Sequence, residues 1–354
     1  MRKKEAKSNK KMKTKIVVGL IILLIVALGA ILGFKVLQDK NQEPNIQQAE
    51  FELEPEIIEA EKKVEIFNGN KRPFAVMIDN HNGAWPQAGL DKAYIVYEII
   101  VEGGETRLMA LFKDVSVANI GPCRSSRHYF LDYALENDAI YVHYGWSPQA
   151  ENDVSKLKVN NINGMSESSK DFWRTNKKSS PHDVIVSMES LLKIAEKKGY
   201  SLTSTKPSIL KYSVEPVELT DGEVAENITI PYSTLQKVTY EYDAENKVYK
   251  RSARGKVQNE MDSGKQLTTK NIIITSVKNS TLNDGENKGR QTLNNIGTFD
   301  GYYITNGKAI AIKCEKSSRN EQTVYKDLKG NIIDVNDGNT YIHIIPNDMK
   351  VTIK

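Results

Sequence analysis

Cysteine is scarce: Cys123 and Cys314 are the only two in 354 residues. Two thiols cannot staple a disulfide scaffold or build a cysteine-rich zinc site. The sequence also lacks G-x-S-x-G, a Walker loop, H-E-x-x-H and a dinucleotide fingerprint. That removes the classes those motifs mark. No repeat of fixed period is visible. Only one long apolar run exists, which excludes a multi-span membrane protein. Most of the chain also lacks an excess of charge. The first 40 residues hold 10 of the 49 Lys+Arg and 2 of the 45 Asp+Glu, so the remainder carries a net −4. The basic balance belongs to the N-terminal tail, and the rest has no global footprint for nucleic acid. What is present is 39% hydrophobic and 27% charged residues, enough for an ordinary core. At roughly 150 residues per domain, the length suggests about two domains.

Residues 16–34, IVVGLIILLIVALGAILGF, contain no charge. As a helix such a run would cross about 30 Å of hydrocarbon. Eight Lys and Arg precede it against Glu5 alone. The positive-inside rule then places the N-terminus in the cytoplasm and the rest outside. The rival is a cleaved signal peptide, whose apolar core would be shorter. The expectation is a single-pass membrane protein with a cytoplasmic tail (1–15), a transmembrane helix (16–34) and a polar stalk (35–70), with cleavage left open.

From Arg72 the pattern becomes that of a folded domain. PFAVMID (73–79), AYIVYEII (93–100), LMALFK (108–113) and AIYVHYG (139–145) read as strands. Gly103-Gly104 sits between the second and third, which predicts an antiparallel hairpin. A helix is expected over 125–137, with Ser126, Phe130, Tyr133 and Ala134 on one face. Ser147-Pro148 and Ser187 open two further helices. Beyond 213 alternating strands dominate: 237–251, 271–277, 297–304, 308–316, 323–327 and 340–345. The expected class is α+β or α/β. An N-terminal mixed-sheet α/β domain (71–212) is followed by a mainly β C-terminal domain (213–354), all preceded by one transmembrane helix.

Chemistry-bearing residues gather after the strands. Asp79 and His81 follow the first, Glu98 and Glu102 end the second, Arg107 begins the third, and His143 ends the fourth. Ligands tend to bind outside the carboxyl ends of strands in such sheets. Arg124, Ser125 and Arg127 offer guanidiniums and a hydroxyl suited to phosphate, sulfate or carboxylate. They reach Arg107 only if the loop 114–123 crosses back. Trp146 is either a stacking platform or a plug, and Arg174 with His182 lies on a loop that suits the lip of an anion site. No close spacing supports a metal site, and no cofactor is implied.

These strings resemble the YerB-like family of bacterial envelope lipoproteins, a family of unknown function. The resemblance is carried by RPFAVMIDNHNGAWPQAGLDKAYIVYEIIVEGGETRLMALF, IGPCRSSRHYFLDYALENDAIYVHYGWSPQA, SSPHD, YKRSARGK, GKAIAIKCEKSSR and GNTYIHIIP. It runs from about Arg72 to Pro346. It implies a two-part layout and an extracytoplasmic place in a Gram-positive-type envelope, and it supplies no catalytic residue. The chain departs from it at three points. An apolar run stands where the lipidated Cys would be, Cys123 replaces an aliphatic residue, and Asp183 replaces Asn.

The resulting expectation is an envelope protein binding an anionic or glycan-like ligand, such as a cell-wall fragment or anionic polymer. The candidate residues are Asp79, His81, Glu98, Glu102, Arg107, Arg124, Ser125, Arg127, His143, Arg174 and His182. A hydrolase or transferase acting on such a polymer is the alternative, and a scaffold for an envelope protein partner is the third.

Overall fold

The computed structural model describes residues 25–30 and 63–354. The chain divides into two units, Met1–Ala60 and Glu61–Lys354. In the first, residues 25–30 are helical and exposed. The rest of the expected tail, span and stalk, up to residue 62, lies outside the described residues. No helix among the described residues is long and apolar enough to cross a membrane. The end of the expected stalk is part of the second unit. Ile66 and Phe67 pack on its core, and Lys113 Nζ donates to Gly69 O at 2.8 Å. The apolar pair, the Lys113 bond and the Asp337 carboxylate, which accepts from Glu65 N and Ile66 N, hold it there.

Strands dominate the second unit. The first half supplies β1 (Phe74–Asp79), β2 (Ile95–Ile100), β3 (Thr106–Phe112), β4 (Ile140–His143) and β5 (Asn161–Asn163), with a small antiparallel pair β6 (Phe172–Arg174) and β7 (Val184–Val186). The later strands are β8 (Asn227–Pro231), β9 (Lys237–Asp243), β10 (Val248–Ala253), β11 (Asn271–Thr281), β12 (Gly297–Thr305), β13 (Lys308–Lys316), β14 (Val324–Asp327), β15 (Thr340–Pro346) and β16 (Thr352–Ile353). The helices are short: α1 (Phe130–Glu136), α2 (Pro148–Lys156) and α3 (Met188–Lys197). Ser147 and Ser187 cap α2 and α3 by accepting from Ala150 N and Ser190 N.

The expected fold class needs correction: the described residues are mostly sheet with few helices. Two physical causes stand out. First, β15 comes from the end of the chain but lies between β2 and β11, parallel to both. One twelve-stranded sheet therefore runs β14-β13-β12-β11-β15-β2-β3-β1-β4-β5, with two short strands attached. Second, the backbone of 120–126 is not helical. It makes bridges from Ile120 to Val186, Cys123 to Ile78 and Ser126 to Trp146, so α1 begins only at Phe130.

β1 is buried on both faces, so its alternate residues enter different cores. Val76 and Ile78 join a cluster with α3 and with Val238, Tyr240 and Tyr249 of the second, six-stranded sheet, in which β10-β9-β8-β16 are successive neighbours. Ala75 and Met77 join the opposite cluster, with Tyr129, Phe130 and Tyr133. Each fully buried large apolar side chain contributes about 1.5–3 kcal/mol, which makes β1 a rigid base for the loop that leaves its C-terminal end.

Candidate functional site

Asp79 closes β1 directly opposite Arg107 of β3. The loop after β3 crosses back over this edge. Asp79 N donates to Pro122 O at 2.8 Å, and Arg124 N donates to Met77 O at 2.9 Å. Arg107 Nη1 then donates to Ser125 O at 2.6 Å. The return of the loop brings Asp79, Arg107, Arg124, Ser125 and Arg127 to one edge. Glu102, from the β2–β3 turn, pairs with Arg127 and lies 4.0 Å from Arg107.

Asp79 is the hub. Its carboxylate is almost wholly buried, and it accepts from His81 N at 3.0 Å and faces His182 Nδ1 at 2.7 Å. Arg124 Nε lies 3.0 Å from the same Oδ2, yet it is buried without an aligned hydrogen bond, so this contact is electrostatic. His81 stacks on His182 with centroids 4.4 Å apart and planes at 8°. Gly83 N donates to His81 Nδ1 at 3.0 Å, which leaves the proton of a neutral His81 ring on Nε2. A Cβ at Gly83 would sit 2.9 Å from His182 Cδ2, so a larger residue would push the His182 ring aside. At Gly145, with φ +79°, a Cβ would meet the exposed Met165 Sδ at 2.9 Å and Ser125 Oγ at 3.4 Å.

The charged groups at this edge perturb one another. Burial, with the neighbouring Arg127 and Arg124 charges, lowers the Arg107 pKa to about 10 against the pull of Glu102 and Asp79. Burial would raise Glu102, but Arg127 and Arg107 hold it below its ordinary value. Arg174 is half-exposed, bonded to Asp183, and 6.0 Å from the Tyr144 ring centroid. It stands on β6, and the segment joining β6 to β7 carries His182.

Two candidates fall elsewhere. His143 is fully buried, with its ring nitrogens 2.8 Å from Gly145 O and 3.1 Å from Asn161 Oδ1, and burial lowers its pKa. It braces the loop beside Trp146, whose ring lies 5.1 Å away. Glu98 is also fully buried, 2.6 Å from Arg251 Nη2. Burial alone would raise its pKa, but Arg251, His343 and Thr106 hold it low. Its network includes Asn80, Gln236, Arg251 and His343, and the last three were not sequence candidates. A faint signal existed: Arg251 interrupts the buried side of β10 between Tyr249 and Ala253.

Cys123 and Cys314 are free and buried, and burial raises both thiol pKa values, that of Cys314 to about 12. Among the described residues no group of three or more His, Cys, Asp or Glu is arranged to hold a metal ion. A groove of about 530 Å³ opens at the other end of β1, lined by residues including Lys71, Phe74 and Leu192.

Comparison with known proteins gives a consistent result. Residues 60–201 and 228–342 match the N-terminal and C-terminal domains described as a protein of unknown function (DUF3048). The "Putative lipoprotein YerB" of Bacillus subtilis (strain 168) is 31% identical over 288 residues, covering 78% of this chain and 82% of its own. The crystal structure of the YerB protein from Bacillus subtilis superposes with a TM-score of 0.71 at 30% identity, covering 80% of this chain and 94% of that one. The chain therefore belongs to the YerB family of proteins of unknown function.

Proposed function

We propose that the protein is a membrane-associated extracytoplasmic binding protein that holds an anionic or glycan-like envelope ligand at the Asp79 edge. The placement draws support from the relative's description as a lipoprotein. The binding reading rests on Arg124. Its Nε is buried without an aligned acceptor, while its side chain keeps 26% exposure beside Asp79. Three arginines, Arg107, Arg124 and Arg127, face two carboxylates, Asp79 and Glu102, which leaves cationic charge for a ligand to neutralise.

Thermal unfolding of the intact protein tests this, with inorganic phosphate, an anionic polymer and wall muropeptides as probes. A probe that binds only the folded state adds about 2.7 kcal/mol at a hundredfold excess over its Kd. The expected result is a rise in midpoint that disappears in Arg124→Ala. Unchanged midpoints with every probe would overturn the reading.

One observation favours a second reading, a hydrolase or transferase acting on the same ligand class. His182 Nδ1 at 2.7 Å from the buried Asp79 is the arrangement that orients a general base and leaves Nε2 to take a proton. On this reading His182→Asn keeps binding and abolishes turnover of whichever probe binds. Failure of the wild type to turn over that probe returns the choice to binding alone.

A further inference from the structure

Asp79 and His81 flank Asn80, and Asn80 is wholly buried. Its Nδ2 donates to Thr106 Oγ1 at 2.8 Å and to Glu98 Oε1 at 3.2 Å. Its Oδ1 accepts from Gln87 Nε2 at 2.8 Å and from Trp85 Nε1 at 3.1 Å. The partners then cross to the second sheet. Gln258 Nε2 donates to Gln87 Oε1 at 3.0 Å, Arg251 Nε donates to Gln258 Oε1 at 2.6 Å, and Arg251 Nη2 donates to Glu98 Oε2 at 2.6 Å. A closed ring results: Asn80, Gln87, Gln258, Arg251, Glu98 and back to Asn80. Gln87 Nε2 also donates to Asp79 O at 3.1 Å, which ties the ring to the backbone of the hub residue.

We infer that Arg251 and Gln258 are positioning residues of the Asp79 site, so that the C-terminal half of the molecule is a working part of that site. The argument is energetic. Burying an ion pair and three amides is costly, and apolar residues of similar volume would often stabilise as well or better. What apolar residues could not do is set the direction of the 79–88 segment. Hydrogen bonds are directional, and each amide here donates to one neighbour and accepts from another. The backbone follows the same plan: Met261 N donates to Gln87 O at 2.8 Å, and Gly89 N donates to Glu260 Oε1 at 3.0 Å. The loop carrying Asp79 and His81 is thus clamped from the second sheet along its length. This inference rests on the binding reading for its ligand, but its geometric content can be tested separately.

The test uses Gln258→Leu in the intact protein. The substitution leaves Arg251 paired with Glu98 and removes the link from Arg251 to Gln87. The control is Tyr249→Phe, which removes a buried hydroxyl of the same sheet that bonds Ala225 O and Gly307 N, away from the ring. Two quantities are read: phosphate affinity by calorimetry, and hydrogen–deuterium exchange of residues 79–88. Gln258→Leu is expected to weaken phosphate binding about tenfold, the scale of one lost hydrogen bond, and to speed exchange across 79–88. Tyr249→Phe is expected to lower the unfolding midpoint while leaving both quantities at wild-type values. Wild-type exchange over 79–88 in Gln258→Leu overturns the inference. If wild type does not bind phosphate, the binding reading falls, and the exchange comparison alone decides whether the ring positions the segment.

Discussion

Acidification from pH 7.5 to pH 5.0 should destabilise the folded unit through two buried histidines. The hydrogen bonds around His343 leave no room for a second ring proton. Tyr232 O–H donates to Glu98 O at 2.9 Å, so its oxygen accepts from His343 Nδ1–H, 2.8 Å away. Arg251 Nη1 donates to the Tyr240 oxygen at 2.6 Å, so the Tyr240 hydroxyl donates to His343 Nε2 at 3.0 Å. Protonating Nε2 would set two donors face to face. Burial, reinforced by Arg251 and opposed by Glu98, lowers the His343 pKa to about 3. His128 is lowered to about 4, chiefly by burial.

An unfolded histidine titrates near 6.5. Both groups are thus depressed on folding, the unfolded chain takes up protons first, and stability is lost as the pH falls below about 6.5. At 1.36 kcal/mol per pH unit, each histidine costs about 2 kcal/mol by pH 5.0, so the pair costs about 4 kcal/mol. Buried His143, also lowered, acts in the same direction. Glu98 and Glu102 are held low and weaken the fold only below about pH 4.5, outside this window. Urea titration at the two pH values, followed by intrinsic fluorescence, measures the loss. His128→Gln should reduce it by about half. A wild-type loss below about 1 kcal/mol would refute the reasoning, and an unchanged loss in His128→Gln would refute the share given to that residue.

Four further outcomes are expected. Glu136 is wholly buried and bonded to Lys316 Nζ at 2.7 Å, to Thr323 and to Tyr97, so Glu136→Gln should cost about 3–5 kcal/mol in urea titration by leaving the ammonium uncompensated. The double variant Glu136→Gln with Lys316→Met should cost less than the two single losses added together. A Cβ at Gly301 would overlap the backbone oxygen of Ile274, so Gly301→Ala should yield no folded protein by circular dichroism. Gly83→Ala should displace His182 from Asp79 and reduce phosphate-induced stabilisation while leaving the midpoint without phosphate within about 1 kcal/mol of wild type.

Part of the site was legible because its signals are local. Asp79, Glu102 and Arg107 stand at strand ends marked by short apolar runs and a Gly-Gly turn. Ser147 and Ser187 announced their helices as caps. Glu98 and His143 were picked out for their chemistry, but a residue type carries no information about whether it faces solvent or core. Arg251 and His343 escaped notice for the converse reason. Each sits in an ordinary strand, and its importance comes from partners far away in the chain, such as Glu98, 153 residues from Arg251.

By itself the sequence determined where β1–β4 and β9–β15 form, though not β5–β8, where α2 and α3 begin, and which polar residues follow the first strands, because these depend on neighbours a few positions apart. The tertiary structure alone decided the rest. It placed β15 between β2 and β11, folded the loop 114–123 back over the Asp79 edge, and set the second sheet against the 79–88 segment. Those outcomes depend on which distant backbones pair and which buried polar groups find partners, and no local pattern in the chain encodes that choice.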